Sequence, residues 1–379
     1  MPKRIVIVGG GAGGTITGNL LARNLTHQIE SGQVVINMIT DKPEHVYQPG
    51  FLYVVFDKVR PEEIVRKQQD LIDSNINLFV DPAVKIDRDK NVVHTKSGKE
   101  FPYDYLIVAT GSRIVPENIP GLKEGAHWFY DLQGAQKLRE ALKGFEGGRV
   151  VIAIGVPHKC PVAPLEITFM LYDYFKQKGI LDKVELYYTY PINRVHALEP
   201  VANWALPQFE KKGIKYEVLF NMEEVDPEKK ILKSMEGTQL NYDLLIAIPP
   251  HKGAQVIEDS GMGKGGWVAT NKQTLRNADY NNVYVVGDTT DIPISKAGST
   301  AHFESDVVAE RITSEIQEGG TMTEYDGKVV CFVETGFDEA TYVWFNYKTP
   351  PKPTPPSKML HWMKLGYNRL YWLSARGVL

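Results

Sequence analysis

Short runs of unbroken apolar residues alternate along this chain with longer stretches in which apolar and polar residues mix. Ile5-Val6-Ile7-Val8 is the first such run, and it breaks at once into Gly9-Gly10-Gly11-Ala12-Gly13-Gly14. Apolar runs bounded by glycine or proline predict strands buried on both faces, as in parallel sheets, whereas mixed stretches of about ten residues or more predict helices. A helix is therefore expected over Thr15 to Asn24 and a second strand over Val34 to Ile39, ending at Thr40-Asp41. Further strands are predicted at Tyr103 to Val108, Arg149 to Ile154, Val184 to Tyr188, Asp243 to Ile248 and Asn282 to Val286. Helices are predicted at Leu165 to Lys178 and Thr300 to Ile316. This succession predicts an α/β fold of two Rossmann-like units, the second inserted into the first. Residues 1–111 and 270–320 form one unit, residues 112–269 the other, and 321–379 a C-terminal region.

The first turn carries chemistry. Gly9, Gly11 and Gly14 fit GxGxxG between a strand and a helix, the pattern that binds a dinucleotide pyrophosphate. The first glycine permits the tight turn, the second lets phosphate approach the backbone, and the third lets helix and strand pack closely. Phosphate is then favoured by free N–H groups and the dipole at the helix N-terminus. Asp41, or its neighbour Thr40, stands where an adenosine ribose is bound. The corresponding turn of the second unit reads Ile154-Gly155-Val156-Pro157-His158-Lys159-Cys160-Pro161, with a single glycine. It is expected to be degenerate for NAD.

Composition narrows the classes. The 379 residues carry 43 Lys+Arg against 46 Asp+Glu, a net charge of −3, which argues against a nucleic-acid partner. Hydrophobic residues at 43% and charged residues at 23% suit a folded globular chain. The two cysteines form no CxxC, so neither a zinc ribbon nor another metal site is expected. Met1-Pro2-Lys3-Arg4 leads straight into the first strand with no apolar leader, and no apolar run of about 18 residues occurs. The expected location is the cytoplasmic side.

The tail adds a surface. After a proline-rich stretch from Thr349 to Pro356, expected to be a stiff linker, Ser357 to Arg376 is helical. At about 100° per residue, Met359, Trp362, Met363, Gly366, Tyr367, Leu370, Tyr371 and Leu373 share one face. His361, Lys364, Asn368, Arg369 and Arg376 lie opposite or flank it. Such a helix suits peripheral, monotopic attachment to a membrane surface, or docking on the protein or on a second copy in a homo-oligomer.

At this point the chain resembles the sulfide:quinone oxidoreductases of the FAD-dependent disulfide reductase superfamily. The Gly9 loop, Ala109-Thr110-Gly111 and Gly287-Asp288 resemble its three FAD landmarks, in order. Cys160-Pro161-Val162-Ala163-Pro164-Leu165-Glu166, the segment from Tyr188 to His196, Ile248-Pro249-Pro250, Ile294 to Gly298, and Val330-Cys331-Phe332-Val333-Glu334 resemble its further motifs. The connection from Asp288 to Lys296 is shorter than in many members, and no third cysteine occurs.

The resemblance implies FAD as cofactor, held in part by Asp288, and oxidation of sulfide to zero-valent sulfur or polysulfide through a Cys160–Cys331 redox pair. It also implies a membrane quinone as acceptor. His158 and Lys159 beside Cys160 are expected to favour its thiolate. Glu166 and His196 are candidates to move protons, and Lys296 a candidate to stabilise negative charge on reduced flavin. Phe332, Phe337 and Tyr342 either line an apolar quinone site or are ordinary core aromatics. A type II NADH:quinone oxidoreductase and a flavin-bearing redox sensor are the competing readings.

Overall fold

Strand β1 (Lys3–Val8) opens the chain and runs into helix α1 (Ala12–Asn24). Strands β2 (Val34–Thr40), β3 (Ile76–Val80) and β4 (Tyr105–Val108) follow. The insert then contributes β5 (Gly148–Ile154), α2 (Ala163–Lys178), β6 (Val184–Tyr190), β7 (Lys215–Val218) and β8 (Leu244–Ile248). The chain returns through β9 (Val283–Val285) and α3 (Gly298–Ile316), then a hairpin of β10 (Val329–Glu334) and β11 (Ala340–Phe345). It closes with helix α4 (Lys358–Ala375). The computed structural model describes residues 1–378.

Two parallel sheets organise these elements. The first has the order β9-β4-β1-β2-β3, so the returning strand β9 completes a sheet begun at the N-terminus. The second has the order β7-β6-β5-β8. Ile5, Val6 and Ile7 are all fully buried, as are Val150 to Ile154, because helices cover one face of each sheet and an antiparallel meander packs on the other. In each sheet a three-stranded antiparallel meander precedes the fourth strand, from Ala83 to Pro102 in one and from Met222 to Asn241 in the other. The two units are thus copies of one plan.

The proline-rich stretch is not a free linker. Thr354 donates its N–H to the Tyr342 carbonyl at 3.0 Å and accepts the Tyr342 N–H on its hydroxyl at 3.0 Å. It runs along β11 because proline lacks an N–H but leaves its neighbours free to pair with a sheet edge. Ser357 then caps α4, its hydroxyl accepting the Leu360 N–H at 3.2 Å.

Helix α4 lies on the body with its polar stripe inward. Lys364 is buried and His361 and Asn368 are half-buried, while Met359, Trp362, Met363, Tyr367, Leu370 and Leu373 are exposed, Trp362 by 68%. The basic residue that the sequence pattern sets on the water-facing side is an interior group. A helix normally buries its apolar face, so an outward one needs another apolar partner. No helix among the described residues is long and apolar enough to cross a membrane.

Candidate active site

The first βα turn is shaped by what its glycines lack. A Cβ on Gly9 would lie 2.2 Å from the Ala109 carbonyl oxygen, and one on Gly14 would lie 1.9 Å from that of Gly9. Gly9 also sits at φ +114°, in the region that disfavours side chains. Gly11, by contrast, faces open space. The first turn of α1 has no acidic residue and no side-chain cap, so its N–H groups point unpartnered toward whatever lies ahead. A pyrophosphate fits this cradle.

What lies ahead is a cavity of about 270 Å3. Gly11, Ala109, Gly111, Gly287 and Asp288 line it, and so do Cys160, Cys331, Glu166, Lys296 and Phe332. Residues from both units, the β10 strand and α4 therefore meet around one space. Thr110 stands just behind, its hydroxyl 3.0 Å from that of Thr289. Thr40 is buried at the end of β2 and bonds the Lys42 carbonyl, and Asp41 is exposed beside it. Neither lines the cavity.

The second βα turn delivers Cys160. The residue adopts φ +47°, its N–H donates to the Lys296 carbonyl at 3.0 Å, and its own carbonyl accepts from Ala163 at the start of α2. Cys331 arrives from β10, paired in register with Val343. Both thiols are unpaired. Burial pushes the Cys160 thiol up to about 12, with the Glu166 carboxyl adding to it, and Lys159 does little to offset this. Burial raises the Cys331 thiol too, with Cys160 as a further cause.

Here the structure departs from the expected thiolate. Lys159 turns its ammonium away from the sulfur, to Asp288 at 3.3 Å and the Gln48 amide oxygen at 2.5 Å. His158 is lowered by burial and brings no charge. Sequence neighbours are not spatial neighbours in a tight turn.

Asp288 collects the cations instead. Burial alone would raise its carboxyl, but Lys159 and Lys296 outweigh that and hold it below the ordinary carboxylate value. Ser112 donates to it at 3.0 Å. Lys296 is half-buried rather than solvated, its ammonium bonded to the Thr290 carbonyl and 4.7 Å from the Trp267 ring, and burial lowers its pKa.

Glu166, on the first turn of α2, is fixed by Lys364 from α4 and by the Glu334 N–H at 2.8 Å. Burial raises the Glu166 carboxyl, opposed chiefly by Lys364. Burial lowers Lys364, but Glu166 and Glu334 win and raise it. Glu334 in turn accepts from Tyr53 at 2.6 Å and lies 2.9 Å from His361 Nδ1 on the half-buried flank of α4. Lys364 and Glu334 were not singled out as site residues. The signal was the polar stripe of His361, Lys364 and Asn368 on a helix whose other face is apolar.

Three of the candidates for the proton and quinone chemistry also fall outside the cavity lining. His196 is wholly buried, with Nδ1 accepting the Leu198 N–H at 3.0 Å and Nε2 without a partner among the described residues; burial lowers it to about 4. Phe337 packs on Phe56 with centroids 5.3 Å apart, beneath Lys58. Tyr342 packs on Phe332 at 5.1 Å, backing the one aromatic of the three that lines the cavity.

Comparison with known proteins agrees with this geometry. The family model described as pyridine nucleotide-disulphide oxidoreductase matches residues 3–312. The mitochondrial sulfide:quinone oxidoreductase of Mus musculus is 26% identical over 365 residues, covering 93% of this chain and 80% of its own. That of Dictyostelium discoideum is 27% identical over 359 residues, covering 91% and 78%. The crystal structure of the sulfide:quinone oxidoreductase from Aquifex aeolicus superposes with a TM-score of 0.88 at 22% identity, covering 99% of this chain and 92% of that one. The family match runs from β1 into α3 and spans both sheets; the chain belongs to the pyridine nucleotide-disulphide oxidoreductase family, and its cofactor is FAD.

Proposed function

We propose that this chain oxidises sulfide to zero-valent sulfur and passes the electrons to a membrane quinone. The observation that carries the reading is that the only two cysteines of the chain line one cavity with the phosphate-cradling loop. Gly9, Gly11 and Gly14 would cradle the FAD pyrophosphate, Asp41 or Thr40 would meet the adenosine ribose, and Asp288 would hold the chain between pyrophosphate and ring. The chemistry FAD supplies when bound is uptake of an electron pair from sulfur and its release to a quinone.

Hydrosulfide attacks a sulfur bridge between Cys160 and Cys331. The S–S bond breaks, a new S–S bond forms to the incoming sulfur, and the other cysteine leaves as thiolate. The incoming sulfur is oxidised and the bridge reduced. Because burial holds both thiols protonated at neutral pH, that thiolate takes up a proton unless it reacts onward. Glu166 and Lys364 together hold a proton beside the cavity, and the Glu334 carboxylate, bonded to Tyr53 and His361, stands next to them. Lys296 sets positive charge at the cavity wall beside Asp288. Phe332 offers an apolar contact for a quinone, with Tyr342 behind it.

The outward face of α4 is read as a membrane seat. Trp362 and Tyr367 suit the headgroup level, Met359, Leu370 and Leu373 the acyl boundary, and Lys358 and Arg369 the anionic surface. A lipid-soluble acceptor makes that location productive.

A Cys331→Ser protein tests the sulfur step. Flavin bleaching by sulfide, followed anaerobically, is expected to slow on the order of a hundredfold or more, while dithionite still bleaches it. A parent-like rate with sulfide refutes the relay.

A further inference from the structure

His45 and Tyr371 take no part in the sulfur chemistry, yet they join α4 to the phosphate loop. His45 is 1% exposed, and its Nδ1 lies 2.9 Å from the Gly10 carbonyl oxygen. A carbonyl only accepts, so Nδ1 carries the proton and Nε2 is the acceptor. Tyr371 of α4 supplies the donor, its hydroxyl 2.6 Å away. Gln68 supports this tautomer: its amide nitrogen donates to Thr15 at 2.8 Å, which turns its oxygen to His45 Nδ1 at 3.1 Å.

The join is reinforced on both sides. Tyr47 packs at a tilt on Tyr371 with centroids 4.3 Å apart and donates its hydroxyl to Asn368 at 2.6 Å. At the helix end, Asn19 of α1 donates to the Ala375 carbonyl at 2.7 Å, and Arg376 donates to that of Asp70 at 2.7 Å. Asn368, Tyr371 and Ser374 line the same cavity as Gly11, Ala12 and Gly13. The tail helix is therefore a wall of the cavity beside the phosphate loop, held shut by contacts to α1 and to the residues around it.

We propose that α4 is the strap that retains FAD, latched by the Tyr371–His45–Gly10 chain, and that seating its outer face on lipid tightens the latch. Lipid opposes any excursion of the helix away from the body, and FAD cannot leave past α4 without one. The second clause rests on the membrane reading above.

The experiment follows release of FAD from the holoenzyme into dilute buffer by its fluorescence, with and without vesicles of mixed phosphatidylcholine and anionic phosphatidylglycerol. Tyr371→Phe deletes one hydroxyl and is expected to speed release about three- to tenfold, the range of one neutral hydrogen bond. Vesicles are expected to slow release from the parent. Equal release from the parent and Tyr371→Phe overturns the latch. A parent that floats with the vesicles yet releases FAD at the lipid-free rate overturns the coupling. A parent that does not float refutes the membrane seat instead, and the Tyr371→Phe comparison still decides the latch.

Discussion

Between β1 and α1 stand Gly9, Gly10 and Gly11; between β5 and α2 stand Gly155 to Val162, of which only the first is glycine. The two turns occupy equivalent places in two copies of one plan, and they treat the helix N-terminus in opposite ways. Helix α1 begins bare, with no acid in its first turn and Gly11 open to the cavity. Helix α2 begins with its own carboxylate, Glu166, already bonded to Lys364. A helix end left bare receives an anion from outside, and one already supplied with an anion does not need it. The turn that lacks the glycine pattern carries a cysteine at the cavity wall.

Removing the cation that pairs with Glu166 gives the largest expected effect. Lys364→Met leaves Glu166 buried without its cation and is expected to lower stability by about 3–5 kcal/mol. Adding Glu166→Leu should recover most of that loss. Denaturant midpoints of the two variants check this, and a Lys364→Met protein as stable as the parent contradicts the ion pair.

A matched pair of glycine substitutions sharpens the contrast between the turns. Gly14→Ala drives a methyl against the Gly9 carbonyl and is expected to cost about 1–3 kcal/mol and most of the bound FAD. Gly155→Ala meets Pro250 at 2.8 Å and is expected to cost stability alone, with FAD content at the parent level. The ratio of flavin to protein absorbance separates them. Loss of FAD from both variants erases the distinction.

A second buried glutamate supplies the smallest effect. Glu304 on α3 accepts the Gly287 N–H at 2.6 Å, and its other oxygen has no partner among the described residues. Burial raises it from 4.5 to about 8. A raised carboxyl favours the folded state while both states are protonated, and that advantage is lost as pH rises from the unfolded pKa to the folded one. Stability should therefore fall between pH 4.5 and about 8 through this group. Glu304→Gln should flatten that slope. The expected net gain at pH 8 is on the order of 1–2 kcal/mol, since the amide's own buried N–H takes back part of the difference. An unchanged slope assigns the pH dependence elsewhere. Glu166, bonded to a lysine, and Glu304, without a cation in hydrogen-bond contact, are thus two buried glutamates with different partners.

The sequence made the scaffold legible because parallel strands buried on both faces announce themselves as unbroken apolar runs. Ile5 to Val8 and Arg149 to Ile154 fall inside β1 and β5. The bare and filled turns could also be told apart by their glycines. Orientation was harder to read. Lys364 sits on the polar stripe of an amphipathic helix, which ordinarily faces water, and only packing reveals that the stripe is the interior face. Lys159 adjoins Cys160 in sequence but reaches Asp288 in space, because a left-handed turn sends adjacent side chains apart. Phe337 and Phe332 look alike in the sequence, and β10 ends between them.

In the proposed reaction electrons enter through the filled turn as sulfur chemistry and not as hydride from a nicotinamide. Anaerobic mixing of the yellow holoenzyme with sulfide, and separately with NADH, tests this most directly through loss of the visible flavin band. Rapid bleaching by sulfide with none by NADH is the predicted result; rapid bleaching by NADH with none by sulfide contradicts it.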